Sequence, residues 1–381
     1  MERVRRDGVG RGGLTPPAAA TLNEGRSPST AEHWFGKGTC EVVMHAMVLG
    51  LHQCARLAGT GDGRRLEGEF PPNVPTYMRT LPPGLVAAPF TPFLPDATLN
   101  LSAIPRLAAL LKRNGVMGAF ICGTTGEGFS LTSAERRQVV EAWKAALPAG
   151  LKLIVHVGHL SLEESCELAR HAQDTGVDAI AAIAPSFFKP PRVDELVLWT
   201  ERVAGAAPRL PFYYYHMPSM TGLRIPAAQY LEHAQARIPT LAGIKFTDED
   251  IADYSAARAL AGARYDVLFG RDEILLSGLD CGATGAVGST YNYAAPLYLR
   301  IMQARKEGDR RTAEKCQAEA QAFIDVMHRR GGLPAGKVMM KLIGVDCGPV
   351  RLPLRNLTAA AESGLRAELD ALGFFGYASV A

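Results

Sequence analysis

Three things are scarce in this chain of 381 residues: paired cysteine motifs, long apolar runs and net charge. The seven cysteines, Cys40, Cys54, Cys122, Cys166, Cys281, Cys316 and Cys347, are scattered and odd in number, with no C-x-x-C among them. That argues against a disulfide framework or a zinc knuckle and leads us to expect a reducing, cytoplasmic setting. The longest apolar stretch of the first part, Val42–Leu57, is broken by His45, His52 and Arg56. It falls short of the ~20 apolar residues of a membrane helix, so no membrane partner is expected. No apolar segment follows Met1–Arg11, as a secretory signal requires, and Glu2, Asp7, Glu24 and Glu32 argue against a transit peptide. The formal charge of +3 creates no demand for nucleic acid, and an anionic small molecule fits it equally well.

What is present divides the chain. Residues 1–77 are rich in Gly, Pro, Ser and Arg, without a repeating period, and are expected to form a disordered extension. Organised sequence opens at Met78, where an alternative start is expected. From there short, nearly continuous apolar runs recur: Gly84–Ala88, Gly118–Cys122, Lys152–His156, Ala179–Ala184, Pro211–Tyr215, Ala242–Phe246, Asp266–Gly270 and Gly285–Gly288. Runs of that kind read as strands covered on both faces. Amphipathic segments lie between them, opened by capping patterns at Thr132–Glu135 and Ser161–Glu164. Eight strands alternating with helices predict an α/β fold, a (β/α)8 TIM barrel over residues 78–305. An open doubly wound sheet would need a Gly-rich loop after the first strand, where Pro89-Phe90-Thr91-Pro92 stands instead. Residues 306–381 predict a C-terminal helical appendage, packed on the barrel or on another subunit, with segments near Arg310–Arg329, Ala335–Ile343 and Ala359–Leu372.

In such a barrel the chemistry sits at the C-terminal ends of the strands. The polar residues there are Thr124 and Thr125, Tyr215, Lys245, Thr247, Gly270 with Asp272 and Glu273, and Ser289. Period-two alternation puts Lys245 and Thr247 on one strand face and Tyr213 and Tyr215 on one face of the neighbouring strand. A lysine in the middle of Leu-Ala-Gly-Ile-Lys-Phe is costly to bury charged, so its neutral, nucleophilic amine is favoured. Snorkelling to the barrel mouth or pairing with a carboxylate reads the same spacing as well. Gly123-Thr124-Thr125-Gly126 offers backbone N–H groups and two hydroxyls to a carboxylate, or simply a tight turn. Asp272 and Glu273 can accept hydrogen bonds from sugar hydroxyls, or Asp272 can cap the next helix. His156 and His159 are poorly spaced for a shared ion, so no metal is expected. His216 should point out of the barrel, and Tyr213 can be layer packing.

These residues resemble the N-acetylneuraminate lyase and dihydrodipicolinate synthase group of pyruvate-dependent aldolases. The resemblance runs from about Gly84 to Leu372 and rests on Gly123-Thr124-Thr125-Gly126-Glu127, the Tyr215–Gly222 stretch, Gly243–Asp248, Gly270–Glu273 and Gly282–Asn292. "GTTGEGFSL", "FYYYHMPSMTG" and "LLSGLDCGATGAVGSTYNY" are most similar to the lyase branch, in its vertebrate type. The synthases usually carry an arginine where Met220 stands. The resemblance implies a Schiff base on Lys245, with Tyr215 moving protons. Thr124 and Thr125 would hold the substrate carboxylate, and Thr247, Gly270, Asp272, Glu273 and Ser289 a polyhydroxylated tail. It implies reversible cleavage of N-acetylneuraminate, a sialic acid, to pyruvate and N-acetylmannosamine, with no cofactor, in a homotetramer. Another 2-keto-acid aldolase or dehydratase of the group, or a non-catalytic 2-keto-acid sensor, is the alternative. Many bacterial members bring a tyrosine from a neighbouring subunit near the catalytic one; here that stretch reads Ala184-Pro185-Ser186-Phe187-Phe188, so a relay through that phenol is absent.

Overall fold

The computed structural model describes residues 81–381. The readings of residues 1–77 and of Met78 lie outside the described residues. Eight parallel strands close into a barrel in chain order: β1 Gly84–Ala87, β2 Gly118–Ile121, β3 Lys152–His156, β4 Ala179–Ile183, β5 Phe212–His216, β6 Leu241–Phe246, β7 Asp266–Phe269 and β8 Gly285–Gly288. Each lies within a residue of its expected run. Apart from single turns such as Pro218–Thr221, the helices between them are α1 Ile104–Arg113, α2 Ser133–Ala146, α3 Leu162–Thr175, α4 Val193–Gly205, α5 Ala227–Ala234, α6 Ile251–Ala261 and α7 Leu275–Asp280. After β8 follow α8 Tyr291–Glu307, α9 Arg310–Arg329, α10 Leu333–Leu342 and α11 Ala359–Ala371.

The sequence signals act where they were read. Thr132 and Glu135 form a reciprocal capping box at the start of α2, and Ser161 accepts from the Glu164 N–H at the start of α3. The pleat sorts side chains into two shells. Val86, Phe120, Ile154, Ala181, Ile183, Tyr213, Tyr215, Leu268 and Val287 fill the barrel interior, while Leu85, Ile121, Val155, Tyr214, Ile244 and Phe246 face the helices.

Strand β6 breaks the alternation, and the break aims the lysine. Ala242 and Lys245 both face inward although they are three positions apart. The register against β5 jumps from Phe212↔Leu241 to Tyr213↔Gly243, a bulge that absorbs the extra residue. Only glycine fits there, because a Cβ at Gly243 would overlap the Asp266 backbone carbonyl. Beyond the bulge Tyr215 pairs directly with Lys245 across the strands.

Candidate active site

At the C-terminal mouth of the barrel a cavity of about 190 Å³ is lined by Thr124, Thr125, Tyr215, Lys245, Thr247, Gly270, Asp272, Glu273 and Ser289. The nine residues expected at the strand ends therefore line one cavity.

Lys245 is buried on β6 at 4% exposure. Its Nζ lies 3.9 Å from the centroid of the Tyr215 ring and 4.0 Å from that of Phe120. Burial pulls the ammonium below its ordinary range, opposed by Tyr215 and by the more distant Asp272. No carboxylate pairs with it among the described residues, so neither snorkelling nor ion pairing describes this lysine. The Tyr215 hydroxyl lies 3.3 Å from Thr124 Oγ1 and 3.0 Å from the Met217 sulfur. Its ring stands edge-on to Phe120 and His156, with centroids 5.6 and 5.9 Å apart.

The wall that runs on from β6 to β8 is built by glycines that make room for polar groups. A Cβ on Gly270 would overlap the Thr247 hydroxyl, and one on Gly288 would overlap the Asp272 carboxylate. The Thr247 hydroxyl is buried and lacks a hydrogen-bond partner among the described residues, and the buried Asp272 Oδ1 has none in good geometry, although the Tyr291 hydroxyl interacts with this carboxyl. Buried polar atoms of that kind are costly unless something else satisfies them, and both residues line the cavity. Capping is not what Asp272 does: its Oδ2 accepts from the Thr290 N–H at 2.9 Å and the Thr290 hydroxyl at 2.7 Å. Burial, and next the neighbouring Glu273, push its carboxyl up to about 6. Gln317 on α9 holds this loop, donating to the Asp272 and Glu273 carbonyls at 3.2 and 2.9 Å.

Other readings resolve on the same geometry. His156 donates from Nδ1 to the Cys122 carbonyl at 3.0 Å and accepts at Nε2 from the Ile183 N–H at 3.2 Å. Both ring nitrogens are thereby engaged, and burial lowers its pKa well below the usual value. His159 accepts the Ser161 N–H. His216 points outward and stacks on Phe246, centroids 5.1 Å apart. Tyr213 is interior packing with a polar end, its hydroxyl 2.8 Å from Asp266 Oδ2. Met220 is exposed and lies off the cavity, as does the exposed Phe187–Phe188 pair. Sequence reasoning missed Phe120, whose ring lies against the Lys245 amine, and among the lining residues Met217 and a wall from the C-terminal helices: Ile324, Met327, His328, Leu333 and Gly336. Phe120 was open to detection, since alternation on β2 aims it inward; the helical wall left no local signal.

Residues 81–372 match the model of the dihydrodipicolinate synthetase family. The chain is 44% identical to the N-acetylneuraminate lyase of Mus musculus over 302 residues, covering 78% of this chain and 94% of the mouse protein. With that of Homo sapiens it is 43% identical over 299 residues, covering 77% and 93%. The solved structure of Proteus mirabilis N-acetylneuraminate lyase superposes with a TM-score of 0.75 at 43% identity, covering 77% of this chain and 99% of the bacterial one. With the barrel, the buried lysine and a match over that length in hand, the chain belongs to the dihydrodipicolinate synthetase family.

Proposed function

We propose that this protein is a class I aldolase that cleaves N-acetylneuraminate reversibly to pyruvate and N-acetylmannosamine. The observation that carries it is the buried Lys245 amine between Phe120 and Tyr215, at a cavity that Thr124, Thr125, Thr247, Asp272, Glu273 and Ser289 also line. Lys245 attacks the C2 ketone of the open-chain sugar, and loss of water gives an iminium. Tyr215 takes the proton from the C4 hydroxyl. The C3–C4 bonding pair moves into the iminium to form an enamine, and the C4 aldehyde leaves as N-acetylmannosamine. Return of a proton to C3 and hydrolysis then release pyruvate. Thr124 and Thr125 hold the carboxylate, while Thr247, Gly270, Asp272, Glu273 and Ser289 hold the hydroxylated tail. The imine is itself the electron sink, so this chemistry calls for no metal or organic cofactor.

A homotetramer and a cytoplasmic setting complete the reading. The exposed Phe187–Phe188 pair on the loop after β4 supports cover by another copy of the chain. The buried free thiols Cys122, Cys166, Cys316 and Cys347 support a reducing compartment. No helix of the described residues is long and apolar enough to cross a membrane. The test is to incubate the protein with pyruvate and borohydride, map the adduct, and assay pyruvate release from N-acetylneuraminate. A reduced adduct on Lys245 and steady release are expected. No adduct on Lys245 refutes the mechanism, and release only from a different 2-keto acid in a substrate panel refutes the assignment.

A further inference from the structure

Behind the cavity, and off its lining, lies a buried ion pair that the reaction does not use. Glu127 ends the Gly123–Glu127 turn in the left-handed region, with φ at +52°, an uncommon state for a residue with a side chain. Its side chain is 1% exposed and turns back toward α10, where Lys337 Nζ lies 2.8 Å from Oε1 and is itself 3% exposed. The other carboxylate oxygen, Oε2, accepts the Arg351 backbone N–H at 2.9 Å. Lys337 also donates to the Thr91 carbonyl at 2.9 Å and the Pro349 carbonyl at 2.6 Å. Lys337 thus combines two hydrogen bonds to backbone carbonyls with one close ion-pair contact. The Thr91 hydroxyl in turn donates to the Gly126 carbonyl at 2.6 Å.

A buried ion pair of this kind is weak evidence for stability, since apolar residues of similar volume often do as well. What it does supply is direction. Each clamp residue adjoins a cavity-lining one: Thr91 follows Phe90, Gly126 and Glu127 follow Thr124 and Thr125, and Lys337 follows Gly336. The loop after β1, the turn after β2 and helix α10 are thus tied at a single point. Gly336 itself lies against Phe90, whose ring would crowd a Cβ built there at 2.7 Å.

We propose that Lys337 and Glu127 are positioning residues that set the orientation of Thr124 and Thr125, so that the C-terminal helices take part in binding the 2-keto acid's carboxylate. This rests on the carboxylate-cradle reading above. Misplacement of a binding group by ~1 Å can cost on the order of 100-fold. The double variant Glu127→Gln/Lys337→Met removes both charges and leaves neither buried alone. We expect it to fold, with the half-saturating pyruvate concentration for borohydride trapping raised at least about tenfold. The KM for N-acetylmannosamine in the synthetic direction should stay within about threefold, a split that general loosening would not produce. The single Glu127→Gln leaves the Lys337 ammonium buried without its counter-charge, and should shift pyruvate in the same direction by at least as much. In whichever variant folds, unchanged pyruvate half-saturation, or an equal rise for both substrates, overturns the proposal. If neither folds, the pair serves folding and the proposal fails. The wild-type trap separates the two levels: no wild-type adduct refutes the site reading, whereas a wild-type adduct with normal pyruvate binding in the variants refutes the clamp alone.

Discussion

Tyr215→Phe is the cleanest test of the proton-transfer step, because the structure separates what the ring does from what the oxygen does. The ring packs 3.9 Å from Lys245 Nζ and edge-on to Phe120, and phenylalanine keeps both contacts. The oxygen makes a long 3.3 Å contact to Thr124 and a 3.0 Å contact to the Met217 sulfur. Their loss should cost stability no more than about 1 kcal/mol, the net worth of an ordinary hydrogen bond. A positioned acid–base group contributes roughly 10²–10⁴-fold to rate. At about 1.36 kcal/mol per tenfold, that is about 2.7–5.4 kcal/mol of barrier. The variant should therefore melt close to wild type and still trap pyruvate on Lys245, since the burial that favours the free amine is intact. Its kcat for N-acetylneuraminate cleavage, followed by coupled pyruvate release, should fall by that factor. A kcat within about tenfold of wild type would remove Tyr215 from proton transfer; loss of trapping would mean that the hydroxyl acts earlier, in forming the imine.

Two further outcomes follow from the shifted ionisations. Lys245→Met should abolish trapping, and at neutral pH it should raise the melting temperature. With its pKa lowered by burial, folded Lys245 holds fewer protons than the unfolded chain up to the ordinary value of about 10.4. Wild-type stability thus rises with pH across that window and the gap to the variant closes towards about pH 10; a gap that does not change between pH 7 and 10 contradicts this. Asp272 is pushed up to about 6, so it gains its charge, and its full accepting capacity, as pH rises through that value. The kcat/KM for the sugar should fall as pH drops through about 6. That limb should be missing in Asp272→Asn, and its persistence there would assign it to another group.

Much of this protein is written locally. Strands buried on both faces need continuous apolar runs, and helices need caps, so the eight-strand barrel and its helix starts could be read from spacing. Lys245 stood out because a cationic side chain in an apolar strand is costly to bury charged, although snorkelling or ion pairing read that spacing equally well. Tertiary structure decided the rest. Simple alternation from Ala242 would have turned Lys245 outward; the Gly243 bulge, fitted against the Asp266 carbonyl, turns it in. For Asp272 alone capping was the favoured local reading until Thr290, eighteen residues on, took up one of its oxygens. The Glu127–Lys337 pair joins residues more than 200 apart, and nothing in the local sequence of Lys337 separates it from the solvated lysines. Periodicity reports which face of an element is buried. Which polar groups meet behind that face depends on how the barrel closes and where the last helices come to rest.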